Sequence, residues 1–248
     1  MEQKILVMWA HPRSTSTAFE WMIRQRGDFI VFHEPFGLSY YNSEDRISKR
    51  SLQIPPQPEH NYQVVRHKLR ETVAQKPVFI KDMATHIMHL ADAEFLGNFQ
   101  HTFIIRHPQK TLPAIFNHWS DFTLEETGYE DLWRLFEKVR IQTDKTPVVI
   151  DSDELLQNPQ EVIKAYCDAV AIPFILKALS WEAGDRKQVS WFDGGSWHDY
   201  LKTSQGLKER KDKNYLAIED NEHLTKAYEI CLPFYEKLYQ HRLVVPQM

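Results

Sequence analysis

An apolar run, Ile5-Leu6-Val7-Met8-Trp9-Ala10, leads straight into His11-Pro12-Arg13-Ser14-Thr15-Ser16-Thr17. A helical apolar spacing follows at Ala18, Phe19, Trp21, Met22 and Ile23. Six apolar residues are too few for an isolated helix and suit a strand buried on both faces. Strand, hydroxyl-rich turn and helix in that order aim backbone N–H groups and a helix N-terminus at one point, where an anion is held. Arg13 adds a planar, permanent cation, and four consecutive hydroxyls add donors. One capping hydroxyl suffices to start a helix. Four of them beside an arginine exceed that need and read as a phosphate or sulfate cradle. The Gly-x4-Gly-Lys-Ser/Thr pattern of nucleotide hydrolases is absent, and no glycine occurs between Met1 and Arg26.

Short apolar runs recur at 29–32, 77–80, 101–105 and 147–150. Between them, helical spacing predicts helices over 64–74, 87–96, 111–119, 124–142 and 159–170, with a last one over 223–240. Pro113 is placed in the first turn of its helix, where proline is tolerated. Strands alternating with helices predict an α/β fold, three layers deep, with a parallel five-stranded sheet and a helical, loop-rich C-terminal part. The 248 residues fit one such domain, 1–248. Residues 38–63, with the Pro55-Pro56-Gln57-Pro58 break, show no period and read as a long loop or lid. Strand ends deliver His33-Glu34-Pro35-Phe36, then Lys81-Asp82, then Arg106-His107-Pro108. A carboxylate leaving a strand beside the anion loop sits where doubly wound sheets keep their chemistry.

The net charge of −4 gives no sign of nucleic acid or an anionic membrane, so any anion site must be local. No apolar run approaches the roughly 18 residues of a membrane span, and no secretory signal is visible. Cys167 and Cys231 lie in helical patterns and read as buried free thiols of a reducing cytoplasm. No Cys/His or Asp cluster suggests a metal. The region 181–200 is rich in tryptophan, and 202–213 is strongly basic, a solvated face or a ligand-binding run.

In order along the chain, these motifs resemble the sulfotransferases that use 3′-phosphoadenosine 5′-phosphosulfate (PAPS). Pro12–Thr17 is similar to their 5′-phosphosulfate loop, and Arg106-His107-Pro108 to the Arg-x-Pro of their 3′-phosphate motif. Residues 149–156 with Asn158-Pro159 resemble the family's strand, acidic Leu-Leu turn and helix start. Gly195-Ser196-Trp197 resembles the Gly-x-Trp of its C-terminal cofactor loop, within a possible cofactor or substrate loop at 181–213. His33-Glu34-Pro35-Phe36 and Lys81-Asp82-Met83 are similar to a sulfotransferase-like branch, some members of which carry an aminotransferase label. No residue pattern here supports a pyridoxal phosphate enzyme.

The resemblance implies a P-loop-like fold and in-line transfer of a sulfuryl group from PAPS to a hydroxyl or amine of a small, partly apolar acceptor. It implies no metal, no nucleic acid and no membrane, and leaves the oligomeric state open. Arg13, Ser14, Thr15, Ser16 and Thr17 would take the 5′-phosphate, with Ser16 or Thr17 at the helix N-terminus. Arg106 would hold the 3′-phosphate, and Lys81 would sit over the bridging oxygen or the sulfuryl group. Asp82 would orient Lys81 or cap a helix. Met83 stands where one branch has a histidine base, so the base falls to Glu34, with His11, His33 and His86 as runners-up. Glu34 would otherwise only neutralise the cradle by pairing with Arg13 or Lys81. Three further departures stand out. Thr15 replaces the usual glycine, Ala114 replaces a 3′-phosphate serine, and Ser190-Trp191-Phe192 falls where an Arg-Lys-Gly is usual. Two rival readings are a kinase or nucleotide hydrolase, with Asp151 or Asp153 as its metal-side acid, and a non-catalytic nucleotide-binding module.

Overall fold

The computed structural model describes residues 4–50, 55–184, 199–208 and 215–245. Five strands form one sheet: β1 (Ile5–Ala10), β2 (Ile30–His33), β3 (Val78–Met83), β4 (Phe99–Ile105) and β5 (Val148–Asp151). Their order is β2-β3-β1-β4-β5, and every pairing is parallel. β1 is central and buried along its whole length, as a two-sided apolar strand requires. Its odd residues Ile5, Val7 and Trp9 join the core under α3 (Tyr62–Val73), α5 (Pro108–Phe116), α7 (Tyr129–Thr143) and α11 (Glu222–Tyr239). Its even residues Leu6, Met8 and Ala10 pack under α1 (Ser16–Arg26) and α9 (Pro159–Ala169). The three expected layers are present. The chain runs from β1 out to β2, back to β3, and across to β4 on the other flank of β1. That reversal opens a crevice at the carboxyl end of β1.

Four local expectations need correction. Residues 38–63 are not one loop, because helix α2 (Pro35–Asn42) occupies their start. Pro35 takes the first helical position, and Asp82 from β3 accepts the Phe36 N–H at 2.7 Å, a tertiary cap that local sequence does not announce. Residues 87–96 are not one helix. Two 3₁₀ turns precede α4 (Ala93–Leu96), which Asp92 starts by accepting from Phe95 N at 2.8 Å. Residues 124–142 break at Gly128 into α6 (Leu124–Thr127) and α7. Gly128 holds φ +72°, and a Cβ there would lie 3.2 Å from the His11 Cβ, so only glycine lets the chain turn so close to the anion loop. Pro113 sits in the second turn of α5 rather than the first. Helix α8 (Ser152–Gln157) follows β5 directly, and α10 (Asp199–Thr203) lies in the C-terminal third.

Candidate anion and transfer site

The β1–α1 connection carries two left-handed non-glycine residues close together. Arg13 and Thr15 hold left-handed φ values of +64° and +69°, while Ser14 between them does not. Such alternation turns successive N–H groups into one concavity, a nest for an anion. Thr15 therefore takes the conformation for which related loops use glycine, and its side chain makes no capping bond. α1 begins at Ser16; Ala18 and Phe19 N–H already bond the Thr15 carbonyl, at 3.0 and 3.2 Å. The hydroxyls divide. Ser14 is fully buried, donates to His11 O at 2.7 Å, and has its own carbonyl bonded by the Ser152 hydroxyl. Ser16 is buried, whereas Arg13, Thr15 and Thr17 are part-exposed. Ser14 therefore reaches the concavity with main chain rather than hydroxyl.

His11 ties this loop to the Arg106 corner. Its Nε2 accepts the Arg106 N–H at 3.1 Å, which leaves Nδ1–H to donate to Pro12 O at 3.0 Å. Burial, with the Arg106 charge adding to it, lowers its pKa to about 3, so the ring stays neutral. With both nitrogens committed it is no base. Tyr129 packs against His11 with ring centroids 4.1 Å apart and planes tilted by 31°, and donates to Arg106 O at 2.7 Å. The Arg106 guanidinium contacts Asp153 at 3.3 Å, and Lys110 meets the same oxygen at 2.9 Å. Ala114 is buried in α5. Asp151 caps α8 through Asp153 and Glu154 N–H and accepts from Tyr235. The stretches 190–192 and 195–198 lie outside the described residues.

β3 extends further than its apolar run, so Lys81 and Asp82 lie within the strand, level with Met8 and Trp9 of β1. Strand alternation sends them to opposite faces. Asp82 faces α2: besides capping Phe36 it accepts from Met83 N at 2.8 Å and holds His86 Nδ1 at 2.7 Å. It caps and orients on that side, away from Lys81. Lys81 is fully buried on the α1 face, and its ammonium bonds Glu34. Glu34 follows β2 with φ +40° and ψ +55°, a left-handed turn that breaks strand alternation and folds the carboxylate back over Lys81. Burial, the largest single influence, would raise the Glu34 carboxyl, but the charges of Lys81, His33 and His86 and the Lys81 hydrogen bond together hold the group well below the usual carboxylate range.

Sequence reasoning missed Glu20. It is 1% exposed in the middle of α1, accepts from Arg24 at 2.8 Å, and holds His33 Nδ1 at 2.6 Å. Its signal was a carboxylate inside an otherwise apolar helical stretch. Burial pushes its pKa up, yet His33, Lys81 and Arg24 together bring it down to about 2. Among the described residues no group of His, Cys, Asp and Glu is arranged to hold a metal ion, and no helix is long and apolar enough to cross a membrane.

A parallel α/β sheet with a left-handed, glycine-free turn after its central strand defines a P-loop-like fold. The chain belongs to the sulfotransferase domain family, whose profile matches residues 3–241. Its fold is that of the sulfotransferase domain from the curacin biosynthetic pathway, with a TM-score of 0.51 at 12% identity, covering 92% of this chain and 96% of that one. Mouse sulfotransferase SULT7A1, solved in complex with PAP, gives a TM-score of 0.54 at 10% identity, over 97% and 90% of the two chains. Two Arabidopsis thaliana proteins are also similar. The branched-chain-amino-acid aminotransferase-like protein 2 is 27% identical over 96% of this chain and 42% of its own length. Protein 1 of that name is 26% identical over 97% and 42%. The chain thus spans less than half the length of these curated relatives.

Proposed function

We propose that this chain transfers a sulfuryl group from PAPS to the hydroxyl or amine of a small-molecule acceptor, in the cytoplasm. The observation that carries the reading is the Arg13–Thr15 nest at the start of α1. A doubly charged ester fits it because the donors are main-chain groups fixed before any ligand arrives. Arg13, Ser14, Thr15, Ser16 and Thr17 would hold the 5′-phosphate, and Arg106 the 3′-phosphate. Family membership supports the reaction class, and the PAP complex of a protein with this fold supports the donor.

In this reading Lys81 leaves Glu34 for the charge that develops on the bridging oxygen as the S–O bond breaks. Glu34, relieved of its cation, accepts the proton of the attacking hydroxyl or amine. The resting Lys81–Glu34 pair is thus the neutralised form of the same two groups. Asp151 is committed as a helix cap, and the loop lacks the nucleotide-hydrolase lysine, which disfavours the kinase reading.

The test is thermal unfolding with adenosine 3′,5′-bisphosphate against ATP–Mg²⁺. A ligand at a hundredfold excess over its Kd stabilises by about 2.7 kcal/mol, a rise of roughly 5–10 °C for a chain of this size. The bisphosphate alone should produce it. A rise with ATP–Mg²⁺ alone would mark a kinase, and silence with both an interaction module.

A further inference from the structure

A cavity of 580 Å³ lies beside the last turns of α1. Trp21 from α1, Phe29 and Val31 from the edge strand β2 and its approach, and Trp181 from the segment after α9 give it apolar walls. Arg24, Gln25 and Glu182 supply its polar groups. Both elements run away from the reaction site to reach it. At about 1.5 Å per helical residue, Arg24 stands about 14 Å from Thr15. At about 3.3 Å per extended residue, Phe29 stands about 16 Å from Glu34. The cavity is thus separate from the anion loop and from the Lys81–Glu34 pair.

Its walls are held in place by the fold. The Trp181 indole N–H donates to the Ser204 hydroxyl at 3.1 Å, and the Trp181 main-chain N–H bonds Gln205 O at 3.3 Å. Trp21 is 6% exposed and Trp181 7%, so the indoles form a floor, while exposed Glu182 stands at the mouth. Nε and Nη2 of Arg24 both meet Oε1 of Glu20, at 2.9 and 2.8 Å. That grip orients the guanidinium and leaves Nη1 for a second acceptor.

We propose that this cavity binds a small zwitterion of the α-amino-acid type with an apolar side chain. Its carboxylate takes Arg24 Nη1 in a charge-assisted bond, and its ammonium takes Glu182. Its side chain lies on the indoles, Phe29 and Val31. The cavity has the volume usual for a small-molecule site. Ligands of single charge fit less well. A lone carboxylate meets Glu182 and the negative end of α1, which closes at Arg26. A lone amine meets Arg24. The inference concerns binding only and stands apart from the sulfuryl-transfer reading.

Calorimetry of the full chain with L-phenylalanine, 3-phenylpropionate and 2-phenylethylamine tests it, since the last two each lack one charge. Phenylalanine should bind with a Kd below about 1 mM, about tenfold tighter than either analogue. Glu182→Gln should erase its advantage over 3-phenylpropionate, and Arg24→Gln its advantage over 2-phenylethylamine. Arg24→Gln also deprives buried Glu20 of a partner, so if that variant unfolds, Glu182→Gln at its exposed position decides. In ¹H–¹⁵N spectra the indole signals of Trp21 and Trp181 should move on adding phenylalanine, and saturating adenosine 3′,5′-bisphosphate should not displace it. Equal affinity for the three ligands, a preference unchanged in Glu182→Gln, or shifts that spare both indoles would overturn the site. Displacement by the bisphosphate would put phenylalanine in the transfer crevice and overturn it as well, while leaving the transferase reading intact.

Discussion

The two flanks of the crevice beside β1 hold their cations in opposite ways. In the β1–α1 loop the geometry is written into the main chain: Arg13 and Thr15 are left-handed, and Ser14 is pinned by His11 and Ser152. At the Arg106 corner it is written into side chains, since the guanidinium and Lys110 share the Asp153 carboxylate. A preformed backbone concavity needs no rearrangement when an anion enters. Two cations resting on a carboxylate must exchange partners first, and such a half-exposed pair is worth little by itself. In the proposed reading the first flank would supply affinity, and the second would tune which ester is accepted.

The largest effect tests the first flank. Arg13→Ala should leave the unfolding temperature of the unliganded chain within about 3 °C. It should lower transfer about 10²–10³-fold, the usual loss for one charge-stabilising donor. Lys81→Ala should match it in turnover yet keep the bisphosphate-induced thermal shift, because in the proposed mechanism Lys81 would act on the group in transit. Equal turnover in either variant would refute the role given to that residue.

Next comes the bridge between the flanks. Folded His11 has a pKa of about 3, against 6.5 for the unfolded ring. The unfolded chain takes up a proton that the folded chain refuses, so this contribution is complete above pH 6.5 and is lost as pH falls toward 3. The expected slope is about 1.4 kcal/mol per pH unit. His101, lowered to about 4 by burial, adds a similar slope over a narrower span. Urea midpoints measured from pH 7 to pH 4 should fall more gently in His11→Gln, even though that variant starts less stable. Parallel curves would mean that His11 is not the neutral link between loop and corner.

A smaller effect probes the second flank. Asp153→Asn removes the carboxylate that Arg106 and Lys110 share, at a stability cost below about 1 kcal/mol. Calorimetry should show adenosine 3′,5′-bisphosphate binding several-fold tighter, with adenosine 5′-monophosphate unchanged. If both ligands change alike, Arg106 does not read the 3′ side.

Sequence alone made the sheet legible, because short two-sided apolar strands need no tertiary help to be recognised. The strand, turn and helix that carry the proposed cradle were legible for the same reason: their signal is local, four hydroxyls and an arginine between two apolar patterns. What escaped depends on distant partners. The α2 helix is capped by Asp82, 46 residues away. The break at Gly128 follows from its contact with His11, and the Glu20–His33 bond joins a helix to a strand edge. The roles of Lys81 and Asp82 separated only once the length of β3 fixed their faces.

The finest test of the comparison is Thr15→Gly. A left-handed threonine costs about 1–2 kcal/mol relative to its right-handed form, and glycine removes that strain. Glycine also loosens the unfolded chain, which returns about 0.4–1 kcal/mol of the gain. The unfolding temperature should therefore stay level or rise by at most about 3 °C, and the bisphosphate-induced shift should persist. If the loop's geometry resides in the main chain, the threonine side chain is dispensable on this flank. A drop beyond about 5 °C would show the Thr15 side chain holding the loop, since a 1 kcal/mol loss moves a chain of this size by roughly 2–4 °C. A tenfold loss of bisphosphate affinity at unchanged stability would make its hydroxyl a direct ligand, and the flank would then be built from side chains after all.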